Sequence, residues 1–394
     1  MAGPRADEAL SLAGTVADLV RIDARNPWLV AGGAGEGRIA AWLLERLGPL
    51  EALGLEVHAD EIAPGRPNVV ARLRGATAGP TLCLNAHLDT VGDGGWSERA
   101  YAPRVEDGWL VGLGAADDKA HCAVQLGVLE RLVRDGPPLA GDLLVAWVAD
   151  EEAESLGTAD LLLRYPMAAC LVLEAFGLGR ALVTHQGFGW LDIVVEGVAA
   201  HGSAPERGVD AISHLAAIVG ELDRHYRERF VANPHRLNGV TVYHASTVAG
   251  GTDYATYPAE ARLGIEIGTQ PGETIADRLA EIELILNGLR DSIPALRARI
   301  EVRLHRPPFE ARGHERLWDA LDVATRETLG RPLEAAGQNA WMDTGLFGQA
   351  GIPALSVGAG GRNLHAPDEA VDLGELTTLA EIVHDAVVRY LAPR

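Results

Sequence analysis

Apolar positions along the chain follow two rhythms. Spacings of three and four residues predict helices over 8–22 and 35–53, and alternating or unbroken apolar runs predict strands over 55–62, 68–73 and 81–86. A Gly- and Asp-rich stretch over 92–114 reads as loop with a hairpin about Gly108. A helix over 117–133 follows, its apolar surface supplied by Val124, Leu126, Val128, Leu129 and Leu132. The runs 143–148 and 169–173 are apolar throughout, the first leading into Asp150-Glu151-Glu152 and the second into Glu174. Unbroken apolar strands between helices predict a central sheet covered on both faces. Carboxylates just beyond strand ends stand where open α/β sheets bind ligands.

After about Val183 the pattern changes. Residues 191–198 alternate, 209–226 are helical, 240–248 and 261–267 are strands, 273–289 are helical and 299–304 form a strand. That β-α-β-β-α-β order predicts a small ferredoxin-like α+β module inserted into a larger domain. Alternation of helix and strand then resumes over 314–329, 354–357 and 375–391. The expected architecture is α/β: a main domain over 1–186 and 306–394, with a mixed, mainly parallel sheet flanked by helices, interrupted by the module over 187–305. No internal repeat, long linker or low-complexity tract is evident.

Composition narrows the function classes. With 55 acidic against 34 basic residues the net charge is −21, which disfavours nucleic acid and anionic membranes as partners. No apolar run approaches the roughly 20 residues that cross a bilayer, and the opening Met-Ala-Gly-Pro-Arg-Ala-Asp-Glu lacks a signal-peptide pattern, so a cytoplasmic protein is expected. Cys83, Cys122 and Cys170 lie in apolar segments without metal-type spacing and read as buried free thiols. Lys119 is the only lysine, and it lies beside an acidic pair.

The chemistry begins at Leu82-Cys-Leu-Asn-Ala-His-Leu-Asp-Thr-Val-Gly92. His87 and Asp89 share one face of an extended segment. An imidazole can ligate a divalent cation while a neighbouring carboxylate accepts its other ring proton and fixes the tautomer. Further on, Asp117-Asp118 stands at a loop-to-helix junction, where acids are commonly no more than favourable partners of the helix dipole. Asp117 could equally bridge two cations through its two oxygens. Asp150-Glu151-Glu152 is either a solvated acidic turn or a division of labour, one glutamate binding metal and its neighbour acting as general base on water acidified by the cation. Glu174 and His365 alone would be ordinary surface residues.

Their order along the chain is specific: His-x-Asp, Asp-Asp-Lys, Glu-Glu, a lone Glu, His201 in the inserted module, and His365 near the C-terminus. From about residue 10 to residue 390 the sequence resembles the two-metal hydrolase family of acetylornithine deacetylase, succinyl-diaminopimelate desuccinylase, aminoacylase and glutamate-releasing carboxypeptidases. The resemblance implies a catalytic domain binding two divalent cations, zinc or cobalt, and a module that serves as lid and dimer contact. It implies that His87 and Glu174 bind one cation, Glu152 and His365 the other, and that Asp117 bridges both beside a cis peptide bond to Asp118. Asp89 would orient His87, Glu151 would be the general base, and His201, often supplied by the partner subunit, would donate to the oxyanion.

Departures from the family pattern concern the substrate. Members that grip an α-carboxylate carry an asparagine and an arginine where this chain has Ala255 and Gly268, and a bidentate arginine is not lost without consequence. Arg262 and Arg362 are the basic candidates to replace it. Leu113 and Ala120 stand where arginine and glycine are common. Asp343, in Trp341-Met-Asp-Thr-Gly-Leu-Phe347, is equally a helix cap or a pocket residue. The expected activity is hydrolysis of an N-acyl amino acid or related small amide, with dipeptidase or carboxypeptidase as the alternative, a small-molecule or short-peptide substrate, and a homodimeric state. A silent metal-binding dimer is the competing class. It is disfavoured because no ligand and no base is missing.

Overall fold

The computed structural model describes residues 6–393. Residues 1–5, which carry part of the reading against a signal peptide, lie outside the described residues. The chain divides into two compact units. The first takes residues up to Val183 together with Ala311–Ala335 and the segment from Leu346 onward, and the second takes Thr184–Glu310 and Ala336–Gly345.

The sheet of the first unit runs in the order Glu56–Ala63, Arg66–Leu73, Leu143–Val148, Leu82–His87, Ala169–Leu173, Ala354–Val357, Arg180–His185. Its four central strands are parallel, and the pairs at both edges are antiparallel. Every residue of Leu82–His87, Leu143–Val148 and Ala169–Leu173 is buried, as expected of strands covered on both faces. The helices Ala120–Asp135 and Leu373–Tyr390 supply Val124, Leu129, Leu379 and Val383 to the same core as Leu84, Val145 and Leu171. Asp372 caps the second of these, its carboxylate accepting from the backbone N–H groups of Gly374 and Glu375.

Register is what assembles the site. In the parallel pairing His87 lies opposite Val148 on one side, and Asn85 opposite Val172 on the other. The C-terminal ends of three adjacent strands, about 4.8 Å apart, therefore deliver His87, the turn Asp150–Glu152 and Glu174 to one edge. Glu174 is held there by its N–H donating to Val357 O at 3.1 Å. Gly358 permits this approach, since a Cβ on it would lie 1.7 Å from Glu174 O.

A small antiparallel sheet in the order Gly361–Arg362, Ala370–Asp372, Trp109–Val111, Arg104–Glu106 contains the hairpin expected at Gly108. It ties the loop bearing His365 to the loop that ends at Asp117.

In the second unit, Tyr243–Gly250, Glu260–Thr269, Gly187–Glu196 and Arg297–Arg306 form an antiparallel sheet in that order. The helices Ala211–Ala232 and Ile275–Ser292 bury Leu215, Ile218, Leu222, Ile282 and Leu286 against Leu191, Ile193, Val195, Leu263 and Ile265. The alternate residue Asp192 bonds Arg262 and Arg303. The first of these helices runs six residues past the predicted end at 226, because Phe230 is buried in this core with Tyr226. Among the described residues no helix is long and apolar enough to cross a membrane, and the three cysteines are buried free thiols.

Candidate metal centre

His87 is the hub. Its Nδ1 lies 3.0 Å from the carbonyl oxygen of Asp89 and 3.6 Å from that residue's carboxylate. A carbonyl can only accept, so Nδ1 carries the proton and Nε2 is left to face Asp117 Oδ1 at 3.0 Å and Glu174 Oε2 at 3.5 Å. The sequence reading gave the orienting contact to the Asp89 side chain. The nearer atom is its carbonyl, because the carboxylate is taken up by the N–H groups of Glu151 at 3.0 Å and Glu152 at 3.2 Å and by Asn26.

The other oxygen of Asp117 lies 3.1 Å from His365 Nε2, which is 3.2 Å from Glu152 Oε2. Asp117 thus stands between the two imidazoles, and its peptide bond to Asp118 is cis. Among the described residues, two groups have donor atoms close enough to share a cation: His87, Asp117 and Glu152, and His87, Asp118 and Glu174. The structure therefore brings Asp118 into the cluster, where the sequence reading placed Asp117 alone. Asp118 is fixed by His121, whose Nδ1 approaches it at 2.5 Å while Nε2 accepts from Ala359 N–H at 3.1 Å.

Charge in this cluster is one-sided. Burial, reinforced by the negative charges of Asp118 and Asp117, pushes Glu174 up to about 8. Burial, with Asp117 beside it, raises Glu152 as well. Contacts to Asp117 and Glu152 push His365 up to about 11. Glu152 Oε1 is buried with no hydrogen-bond partner. Four carboxylates against two imidazoles, with an orphaned buried oxygen and two imidazole Nε2 atoms facing the carboxylates, form a donor set that fits divalent cations.

A proton count follows from these values. Below about 8 the cation-free Glu174 keeps its proton, and His365 keeps its own across neutrality. A cation held by either group needs that group bare. Filling both sites at pH 7 is therefore expected to release about two protons per chain, and affinity is expected to weaken as pH falls. Calorimetric zinc titrations in two buffers of different ionisation enthalpy measure this, and equal heats in both would contradict it.

Several supporting residues surround the cluster, and of these only Lys119 carried a sequence signal of its own. Glu369 accepts from the N–H groups of Gly114 at 3.0 Å, Ala116 at 2.9 Å and Asp117 at 3.0 Å. Burial, with Asp117 nearby, pushes it up to about 7. Lys119 is fully buried, donates to Ile22 O at 2.9 Å and Leu113 O at 3.2 Å, and is lowered by burial to about 8. It braces the loop leading to Asp117. Asn26, Glu36 and Arg66 lie beneath the Glu151-Glu152 turn.

Arg362 stacks over Trp109, 4.6 Å from the ring centroid. In the second unit, Arg262 is committed to Asp192 at 2.8 Å and Glu301 at 2.9 Å, and Asp343 is buried. His201 is exposed there, its Nδ1 accepting from Ser203 N–H at 3.2 Å, which leaves the proton on Nε2.

Paired sites for divalent cations, built on carboxylates and imidazoles at the carboxyl edge of an α/β sheet, define a metal-dependent hydrolase. The chain belongs to peptidase family M20/M25/M40, which it matches over residues 83–389, and is a hydrolase of amide bonds. It is 27% identical over 392 residues to the N-formyl-4-amino-5-aminomethyl-2-methylpyrimidine deformylase of Bacillus subtilis, covering 89% of each chain. It is 28% identical over 418 residues to the succinyl-diaminopimelate desuccinylase of Rhodopseudomonas palustris, covering 99% of this chain and 100% of that one. A dinuclear metal-binding peptidase of family M20 from Bacillus subtilis superposes with a TM-score of 0.73 at 16% identity, covering 98% and 99% of the two chains.

Proposed function

We propose that this protein is a two-cation deacylase of small N-acyl amines, acting on a substrate whose amine side carries no α-carboxylate. The observation that carries this reading is Gly268. A Cβ there would lie 2.5 Å from Gln186 Oε1 and 2.9 Å from Thr241 Cγ2. Gln186 is itself fixed, donating to Val240 O at 2.9 Å and accepting from Val242 N–H at 3.0 Å. An arginine where carboxylate-gripping relatives are expected to carry one would have to displace the Gln186 amide from these bonds. The Bacillus subtilis relative is named for a formamide on a pyrimidine amine, a compound without a carboxylate.

In this reading His87 and Glu174 would hold one cation and Glu152 and His365 the other, with Asp117 between the two pairs. The donors are oxygen and imidazole nitrogen with no thiolate, which suits zinc or cobalt. When bound, the cations polarise the scissile carbonyl and acidify a water molecule to a pKa near 7. Glu151 would accept a proton from the attacking water and return it to the departing amine. Its backbone is pinned by Asp89, so Glu151 and Glu152 are set by one anchor. His201 of the partner subunit would present its Nε2–H to the oxyanion of the tetrahedral intermediate.

A panel of a carboxylate-free formamide, N-acetyl amino acids and dipeptides, assayed on zinc-loaded protein, tests the substrate class. The formamide is expected to exceed the others in kcat/KM by about 10-fold or more, the scale of one lost polar contact. Preference for an N-acetyl amino acid would sink the carboxylate-free reading and leave the N-acyl amino acid reading in its place.

The homodimer belongs to the same proposal. It is supported by the strand Tyr243–Gly250, which lies at a sheet edge and is exposed along seven of its eight residues. A fully active monomer in sedimentation equilibrium would contradict both the dimer and a His201 supplied in trans.

A further inference from the structure

We infer that Asn26 is a positioning residue for the cation site, a role that rests on the two-cation reading above. Its side-chain amide has two N–H donors, and both are spent on carboxylates from distant parts of the chain: Asp89 at 2.8 Å and Asp150 at 2.9 Å. The orientation of the amide is not free to reverse. Its oxygen accepts from Trp28 N–H at 2.9 Å, and two carboxylates could not donate to it.

The Asn26 backbone is clamped as well. Its N–H donates to Thr90 O at 2.8 Å, and Thr90 N–H returns to Ala24 O at 3.1 Å. Gly33 folds closely over this segment, since a Cβ on it would lie 2.6 Å from Arg25 O. Asn26 is thereby joined to the strand exit that carries His87 and Asp89.

Each carboxylate that Asn26 grips controls one side of the site. Asp89 accepts from the N–H groups of Glu151 and Glu152 and presents its carbonyl to His87. Asp150 begins the turn that holds both glutamates, in a left-handed conformation at φ 72°. Its second oxygen accepts from Glu154 N–H at 3.3 Å and Leu156 N–H at 3.4 Å, closing the turn.

Arg66 completes the arrangement. It bonds Asp150 at 2.8 Å and holds Glu36 through two contacts at 2.6 and 2.8 Å, and Glu36 accepts the Asp150 N–H at 3.1 Å. Asn26, Glu36, Asp89 and Asp150 are all buried. The amide is a neutral side-chain link between the Asp89 carboxylate and the Arg66–Glu36–Asp150 cluster. Without it, two buried carboxylates face each other short of a donor, and the spacing between the His87 loop and the Glu151-Glu152 turn is lost.

Cobalt is the probe, read by its visible absorbance and by competition with a chelator. Wild-type protein is expected to take up two equivalents. Asn26→Ala is expected to bind the weaker equivalent about 10- to 100-fold less tightly, with a changed absorption spectrum. Its kcat should fall by a similar factor while KM stays within about threefold, because the substrate contacts are untouched. Should Asn26→Ala not fold, Asn26→Ser, which restores one donor, is read in the same way. A folded variant with wild-type cobalt spectrum and affinity overturns the inference. Failure of both variants to fold also overturns it, by assigning Asn26 to the fold rather than the site. Absence of cobalt binding by the wild type overturns the two-cation reading together with the inference built on it.

Discussion

Replacing Asp117 with asparagine is expected to strip the protein of its cation pair and reduce turnover to background. The substitution keeps shape and volume but leaves one carbonyl oxygen where two carboxylate oxygens stood. Asp117 Oδ1 lies 3.0 Å from His87 Nε2 and Oδ2 lies 3.1 Å from His365 Nε2, so each oxygen belongs to a different half of the site. An amide offers one acceptor atom and two donors. Whichever way it turns, one half loses its ligand and gains an N–H aimed at a cation.

The measurements are metal content after dialysis and thermal stability with added zinc. At zinc concentrations about 100-fold above its dissociation constant the wild type gains about 2.7 kcal/mol for each site filled. The variant is expected to gain far less and to retain at most about one equivalent, as a site with a missing bridge predicts. Two retained equivalents with an undiminished thermal shift would show that Asp117 does not bridge.

The proposed ligands were legible in the sequence because His87, Glu152 and Glu174 follow apolar runs, Asp117 opens a helix, and their order with His365 is unusual. His87, Glu152 and Glu174 follow from strands that need no pairing information to be recognised. What linear pattern cannot supply is which strands are neighbours. The placement of Leu143–Val148 and Ala169–Leu173 on either side of Leu82–His87 is a matter of long-range register. Only that register turns three separate acidic turns into one site.

The supporting residues were hidden for the same reason. Asn26 meets Asp89 and Asp150 across 63 and 124 positions, and Glu369 meets Asp117 across 252. A solitary asparagine in a loop has no periodicity to reveal it. Short elements escaped too. The helix Leu156–Arg164 has nine residues, and the strand Arg180–His185 has only three consecutive aliphatic residues, Ala181 to Val183. Both owe their form to packing against the sheet rather than to local pattern. In the opposite direction, Arg262 had the right charge to replace a missing arginine, yet its guanidinium is committed to Asp192 and Glu301. Charge type is legible in sequence, and commitment to a partner is not.

Exchange of Glu151 for glutamine is expected to lower kcat by about 10²- to 10⁴-fold while leaving the cations in place. The two neighbouring glutamates share one anchor, since Asp89 receives both of their N–H groups. They differ in what their side chains do. Glu152 lies 3.2 Å from His365 and has a buried, unpartnered oxygen suited to a ligand. Glu151, next to it and outside the donor groups that cluster among the described residues, is the proposed base. Glutamine preserves the length and the backbone anchor but cannot accept a proton from water. The expected signature is therefore a split: zinc content, cobalt spectrum and KM close to wild type, with turnover lost. The same exchange at Glu152 should instead lower metal content. If Glu151→Gln kept full turnover, or lost a cation together with its activity, the division between ligand and base at this turn would be wrong.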